Sequence, residues 1–336
     1  MKILVTGGSG YIGSHTCVEL LEAGHEVVIA DNLSNSTMAV LDRITRITGK
    51  RPVFHKLDMR DASGLRQMLE ERPVDAIIHF AGVKAVAESV SDPLKYYDNN
   101  VVGSLALLSV MRTQGVKRIV FSSSATVYGE AAASPISEQA STSPGNPYGR
   151  TKLMVEELLH DHCRADPEFR AVALRYFNPV GAHGSGLIGE IPKGVPNNLM
   201  PCICQVAAGQ QKELSIFGKD YPTPDGTAIR DYIHVVDLAQ GHLRALELLD
   251  RSPGFTVINL GTGRGTSVLE MLQTFERVNQ LRVPYRFVRR RLGDSIITFA
   301  DSGCAAALLG WHAVRSLDDM CRNAWNWQKS NPRGYD

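Results

Sequence analysis

The 336-residue sequence predicts an α/β fold, a doubly wound parallel sheet with a smaller C-terminal α/β domain. Three observations predict it. Short apolar β-rich runs alternate with helical stretches through the first half, a glycine-rich turn joins the first run to the first helix, and the alternation loosens after about Phe177. Hydrophobic residues at 43% and charged residues at 21% suit a chain that buries a sizeable core.

Lys2–Thr6, Glu26–Ala30, Pro52–Lys56, Asp75–Phe80, Arg118–Ser122 and Ala171–Tyr176 read as strands. Most are apolar throughout, as expected where helices cover both faces of a parallel sheet. Tyr11–Ala23, Thr37–Thr48, Ala62–Glu71, Pro93–Gln114 and Pro147–Ala165 read as the intervening helices. Asp92-Pro93 and Asn146-Pro147 mark two of the helix starts, a capping side chain followed by proline in the first turn. The expected division is residues 1–176 for a dinucleotide-binding domain and 177–336 mainly for a substrate domain, with elements free to interleave. In the second part, the glycine- and proline-rich Ala182–Pro196 and Gly218–Gly226 read as substrate loops. Val235–Leu248, Val257–Leu260 and Val268–Asn279 are its regular elements.

The 36 basic and 35 acidic side chains leave a net charge of +1, which provides no basic field for nucleic acid or an anionic membrane. An anionic ligand must then be held by local groups. Cys17, Cys163, Cys202, Cys204, Cys304 and Cys321 form no CxxC pair, and no HExxH occurs, so no metal site is expected. His160 and His162 diverge on a helix and read as solvated, whereas His183 and His234 read as structural. Reduced thiols, the absence of a signal segment before the first glycines and the absence of a membrane-length apolar run make a cytoplasmic protein the expectation.

Gly7-Gly8-Ser9-Gly10-Tyr11-Ile12-Gly13 follows the first strand and opens the first helix. Glycines there let the backbone approach a pyrophosphate, which the free N–H groups of the helix end then bind. Asp31 ends the second strand 18 residues beyond Gly13, where a carboxylate accepts from ribose hydroxyls and repels a 2′-phosphate. The expected cofactor is therefore NAD. A phosphate loop of the nucleotide-hydrolysing type is excluded, because Ser14-His15 stands where it needs Lys-Ser/Thr. Asp58 ends the third strand and reads equally as an adenine contact or a capping aspartate.

Tyr148 and Lys152 lie at i and i+4 on one helix, and the Ser122-Ser123-Ser124 run leaves the fifth strand at its C-terminal end. A phenol ionises near pH 10, so work as a base near neutrality needs that value lowered by roughly 3, about 4 kcal/mol. Lys152 and a positive nicotinamide ring are the sources of that field, and Ser124 shares the substrate hydroxyl's hydrogen bond. The competing reading is an ordinary amphipathic-helix pair.

Together these residues resemble the extended short-chain dehydrogenase/reductase superfamily with its Rossmann-type sheet, and within it the UDP-glucose 4-epimerase family. The resemblance spans almost the whole chain. It runs through Val5–His15, His79-Phe80-Ala81-Gly82, Lys84-Ala85-Val86, Tyr96–Asn100, Ser122–Gly129, Arg175–Ala182, Pro196-Asn197-Asn198-Leu199-Met200-Pro201, Arg230–Val235, Trp325–Gln328 and Gly334-Tyr335. It implies cofactor contacts at Tyr11, Ile12, Asp31, Asn32, Asn35, Asp58, Phe80, Lys84, Asn99, Ser124, Tyr148, Lys152 and Phe177, beside Gly7, Gly10 and Gly13. It implies that Asn178, Asn198, Phe217, Arg230, Arg291 and Asp294 hold a UDP-sugar, with arginines on the diphosphate and an aromatic on uracil. Without the resemblance, Arg230 and Arg291 read as surface arginines.

The implied reaction inverts C4 of UDP-glucose or UDP-galactose through a transient 4-keto sugar, with Tyr148 moving the O4 proton. Thr298 departs from the glucose-restricted pattern, which has tyrosine there. A smaller side chain leaves room for an N-acetyl group at C2 unless a neighbour such as Ile297 refills the space. The rivals are a nucleotide-sugar 4,6-dehydratase, a simple dehydrogenase and a non-catalytic NAD sensor. Ala125-Thr126 supplies no carboxylate beside Ser124 for dehydration, and a sensor has no need of Tyr148 with Lys152. Apolar residues on Leu105–Met111 and Leu153–Leu159 suit either a homodimer, which the family suggests, or contacts within one chain.

Overall fold

The computed structural model describes every residue except 131, 132, 193, 195, 197, 292, 293 and 336. Position 197 of the motifs quoted above, and positions 193 and 195 of the expected substrate loop 182–196, thus lie outside the described residues.

Seven parallel strands form the central sheet: β1 (Lys2–Thr6), β2 (Glu26–Asp31), β3 (Val53–Lys56), β4 (Ala76–His79), β5 (Arg118–Ser122), β6 (Arg170–Tyr176) and β7 (Gly254–Leu260). Their order across the sheet is β7-β6-β5-β4-β1-β2-β3, so the chain runs outward from β1 in both directions. Alternate residues explain why the strands are apolar throughout. Ile3, Val5 and Ile29 enter the core on one face, while Leu4, Val28 and Ala30 enter that on the other.

The seventh strand corrects the sequence reading, which left Val257–Leu260 in the C-terminal portion. Gly254–Leu260 pairs with the whole of β6, from Gly254 opposite Arg170 to Leu260 opposite Tyr176. The helix Val235–Leu248 likewise returns to pack on the first helix, Tyr11–Glu22. A third core joins helices Leu199–Ala207, Val268–Asn279 and Leu317–Ser330 through Met200, Ile203, Phe275 and Met320. The smaller unit is built on that core and is interrupted by the elements that rejoin the sheet.

Both expected helix starts are capped. The Asp92 side chain accepts from Lys95 N at 3.3 Å and that of Asn146 from Gly149 N at 2.9 Å. The long helix expected over 93–114 is instead α-helical at Pro93–Tyr96, π-helical at Tyr97–Val102 and α-helical again at Gly103–Gln114. Inside the π turn, buried Asn100 accepts from Val83 N at 2.8 Å and donates to Val83 O and Thr151 Oγ1, both at 3.0 Å. One amide thus ties the loop after β4 to the helix that carries Tyr148.

All six cysteines are free. Among the described residues no cluster of three or more His, Cys, Asp or Glu side chains suits a metal, and no helix is long and apolar enough to cross a membrane. His162 is not solvated as expected, because its ring packs edge-on against Phe169 at 4.3 Å. His234 is structural, capping its helix by accepting from Val236 N at 3.1 Å.

Candidate active site

The strand β1 ends in a turn that only glycine tolerates. Gly7 has φ +68°, and a Cβ added there would stand 2.8 Å from Ala81 N. A Cβ on Gly13 would meet Gly7 O at 2.4 Å, so the first helical turn lies directly on the loop. Gly10 caps that helix without a side-chain hydrogen bond, and the first turn has no acidic residue. Such an end is a cradle for an anion, which fits a dinucleotide pyrophosphate.

Asp31 faces the same loop. Its carboxylate accepts from Ser9 N at 3.1 Å, Leu33 N at 2.9 Å and Ser36 Oγ at 2.8 Å. Asn32 donates to Asp58 at 2.9 Å, and Arg60 grips the same carboxylate through Nε at 2.8 Å and Nη2 at 2.9 Å. The hydrogen bonds from Arg60 hold Asp58 well below the usual carboxylate range. Ile12 is half-buried on the first helical turn and Asn35 is exposed after β2. The Phe80 ring lies tilted against His242 with centroids 4.7 Å apart, and Asn99 donates to Lys95 O at 2.8 Å from the π turn.

The proton-handling residues meet beyond the C-terminal ends of β4 and β5. Ser124 caps the short 3-10 turn Ala125–Tyr128 and accepts from Thr126 N at 3.2 Å and Thr126 Oγ1 at 2.9 Å. Tyr148 is buried, edge-on to Tyr96. Burial pushes its phenol above the ordinary tyrosine range, while the Ser124 hydroxyl and the Lys84 charge draw it back. Lys152, the cation expected to act on the phenol, has its Nζ over the Tyr148 ring, 5.9 Å from the centroid, and donates to Ser122 O at 2.7 Å. Burial lowers the Lys152 ammonium to about 8.

Several supporting residues carried no sequence signal of their own. The Glu156 carboxylate, on the Tyr148 helix, accepts from Arg175 Nε at 3.0 Å in a buried ion pair and also from Ser123. This braces the serine strand from behind. Glu190 accepts from Lys84 Nζ at 2.9 Å and from Asn198 Nδ2 at 3.0 Å.

On the smaller unit, the strands Ile229–Arg230 and Ile297–Thr298 run parallel with Thr298 in register with Arg230. Arg230 is largely buried and lies 3.6 Å from Asp294, so the reading of a surface arginine does not hold for it. The Arg291 guanidinium lies over the Phe217 ring at 3.9 Å, the ring expected to stack on uracil. Phe177 is buried with its N–H on Leu260 O at 3.2 Å, where the last sheet strand ends, and Asn178 is exposed beside it.

Residues 3–261 match the model of the NAD dependent epimerase/dehydratase family. A UDP-glucose 4-epimerase of Bacillus subtilis is 56% identical over 335 residues, 100% of this chain and 99% of the relative. The structure of a UDP-glucose 4-epimerase from Stenotrophomonas maltophila, with bound NAD and formylated UDP-arabinopyranose, superposes with a TM-score of 0.97 at 53% identity over 99% of each chain. That of the Bifidobacterium longum enzyme in complex with NAD+ and UDP gives 0.96 at 49% identity, over 99% of this chain and 100% of the other.

Proposed function

The chain belongs to the NAD dependent epimerase/dehydratase family, and we propose that it is an isomerase that inverts C4 of a UDP-hexose, interconverting UDP-glucose and UDP-galactose. The observation that carries this reading is buried Tyr148 on a helix whose Lys152 reaches Ser122 O, with Ser124 two residues further on, at the same C-terminal end of the sheet as the glycine cradle. The backbone at Gly7, Gly10 and Gly13 would hold the pyrophosphate, and Asp31 the adenosine ribose. Bound there, NAD supplies a positive ring and an acceptor for the C4 hydride that is later returned.

Tyr148 takes the O4 proton and gives it back, and Ser124 fixes that oxygen between the two transfers. A phenol raised by burial ionises only beside positive charge; Lys84 draws it down from one side, and Lys152, whose Nζ stands over the same ring, together with a bound nicotinamide would supply the rest. Arg230, Arg291, Asn178, Asn198, Phe217 and Asp294 anchor the nucleotide while the hexose turns over. Phe217 offers uracil a face only if Arg291 moves or takes the other side.

Incubation of the purified protein with each UDP-sugar tests the reading. UDP-glucose and UDP-galactose should interconvert with no net gain in the absorbance of reduced dinucleotide. Accumulation of a 4-keto sugar would restore the dehydratase, and an unchanged C4 would leave only a binding protein.

Thr298 is expected to admit the N-acetylated UDP-sugars as well. Wild type should act on UDP-N-acetylglucosamine and Thr298→Tyr should lose that activity by about tenfold or more while keeping UDP-glucose. Equal rates on the acetylated sugar in both chains would defeat this. A homodimer is supported by Val102, Leu105 and Met154, apolar side chains exposed on the Tyr97–Gln114 and Tyr148 helices. Six free thiols support a cytoplasmic location.

A further inference from the structure

Asn198 stands at the N-cap of the helix Leu199–Ala207, with the extended backbone (φ −87°, ψ 146°) that suits a capping asparagine. Its side chain makes no cap hydrogen bond. The amide reaches instead to Glu190 Oε1 at 3.0 Å, and the same oxygen accepts from Lys84 Nζ at 2.9 Å. Lys84 belongs to the loop after β4, and Asn198 to the smaller unit. One acid therefore holds one residue from each side of the cleft.

Glu190 is itself fixed. Gly189 lies flat on the Trp327 indole, where a Cβ would come within 2.4 Å of the ring, and Trp327 Nε1 donates to Glu190 O at 3.2 Å. Tyr335 Oη stands 3.3 Å from Gly189 N. The C-terminal aromatic residues thus set the backbone from which the carboxylate projects, and its side chain is only 12% exposed.

We infer that Glu190 is a positioning residue, which withdraws the Asn198 amide from its own helix end and orients it, with Lys84, toward the UDP-sugar cleft. The diversion exchanges a helix cap for a hydrogen bond to a carboxylate that Lys84 already holds. Its return is preorganisation of a group that needs a free amide oxygen and a second N–H for the ligand. This rests on the UDP-hexose reading and adds to it a residue outside the binding set.

Calorimetric titration of UDP-glucose into the dinucleotide-loaded protein tests it independently of turnover. Glu190→Ala should weaken binding roughly fivefold, the loss of one orienting hydrogen bond. Its melting temperature should stay at the wild-type value, because the released amide can cap its helix. Glu190→Gln keeps an acceptor and should restore affinity to within about twofold. In an Asn198→Ala background, Glu190→Ala should cause no further loss. Wild-type affinity in Glu190→Ala, an equal loss in both backgrounds, a Gln chain as weak as the Ala chain, or a loss that tracks a fall in melting temperature would each overturn the inference. A wild-type chain that binds UDP-glucose without inverting C4 refutes the epimerase reading alone, and one that does not bind it overturns both.

Discussion

Tyr148→Phe should bind NAD as the wild type does and turn over UDP-galactose about a thousandfold more slowly. The substitution removes one oxygen and leaves the ring, which is buried and set edge-on to Tyr96 with centroids 6.5 Å apart. Pocket shape and Asn146 capping of the helix are untouched. What disappears is the atom that accepts the O4 proton. Ser124 cannot replace it, since a serine hydroxyl is a far weaker acid and is already engaged by Thr126. Equilibrium dialysis with NAD and steady-state turnover measure the two halves. Turnover within about tenfold of wild type would assign the proton transfer to another group.

The sequence announces this tyrosine because its signal is local. Tyr148 and Lys152 are one helical turn apart, and the glycine turn, Asp31 and the serine run each lie within a few residues of a strand end. Capping at Asp92 and Asn146 is equally local, and both were legible for that reason. Partnerships that span the chain were not. Val257–Leu260 reads as a short apolar run, and nothing in it says that it extends back to Gly254 or that its neighbour is β6 rather than a strand nearer in sequence. The π turn at Tyr97–Val102 depends on Asn100 finding Val83 and Thr151, so propensity alone reads a continuous helix.

Electrostatics was the least legible part, because charge acts through space and burial. Lys84 is 64 positions before Tyr148 in the chain, yet its charge draws the phenol down. Glu190 sits in a glycine- and proline-rich stretch with no signal of its own, and only the folded chain sets it between Lys84 and Asn198. Arg175 and Glu156 are likewise a pair by virtue of β6 passing the Tyr148 helix. Taking one partner away would strand a buried charge, at a cost of about 3–5 kcal/mol, so the brace behind the serine strand is set by the fold.

Lys152→Met should abolish most turnover and yet yield a more stable protein at neutral pH. Lys152 is 5% exposed, and burial lowers its ammonium from 10.5 to about 8. Folding at pH 7 therefore carries a penalty of about 3 kcal/mol for keeping that charge inside. The hydrogen bond to Ser122 O returns about 1 kcal/mol of this, so methionine, of similar length, should gain on the order of 2 kcal/mol. Below the folded value of about 8 both states are protonated and the penalty is complete. Between there and 10.5 the unfolded chain holds a proton that the folded chain lacks, so wild-type stability from this residue rises with pH. The advantage of Lys152→Met should accordingly be greatest at pH 7 and shrink through that window. Thermal or urea unfolding of both chains measures it, after removal of bound nucleotide, whose unequal binding would itself shift the midpoint. A variant less stable than wild type at pH 7, or an advantage that grows toward alkaline pH, would mean that the ammonium is stabilised by its surroundings and is not held there at the expense of the fold.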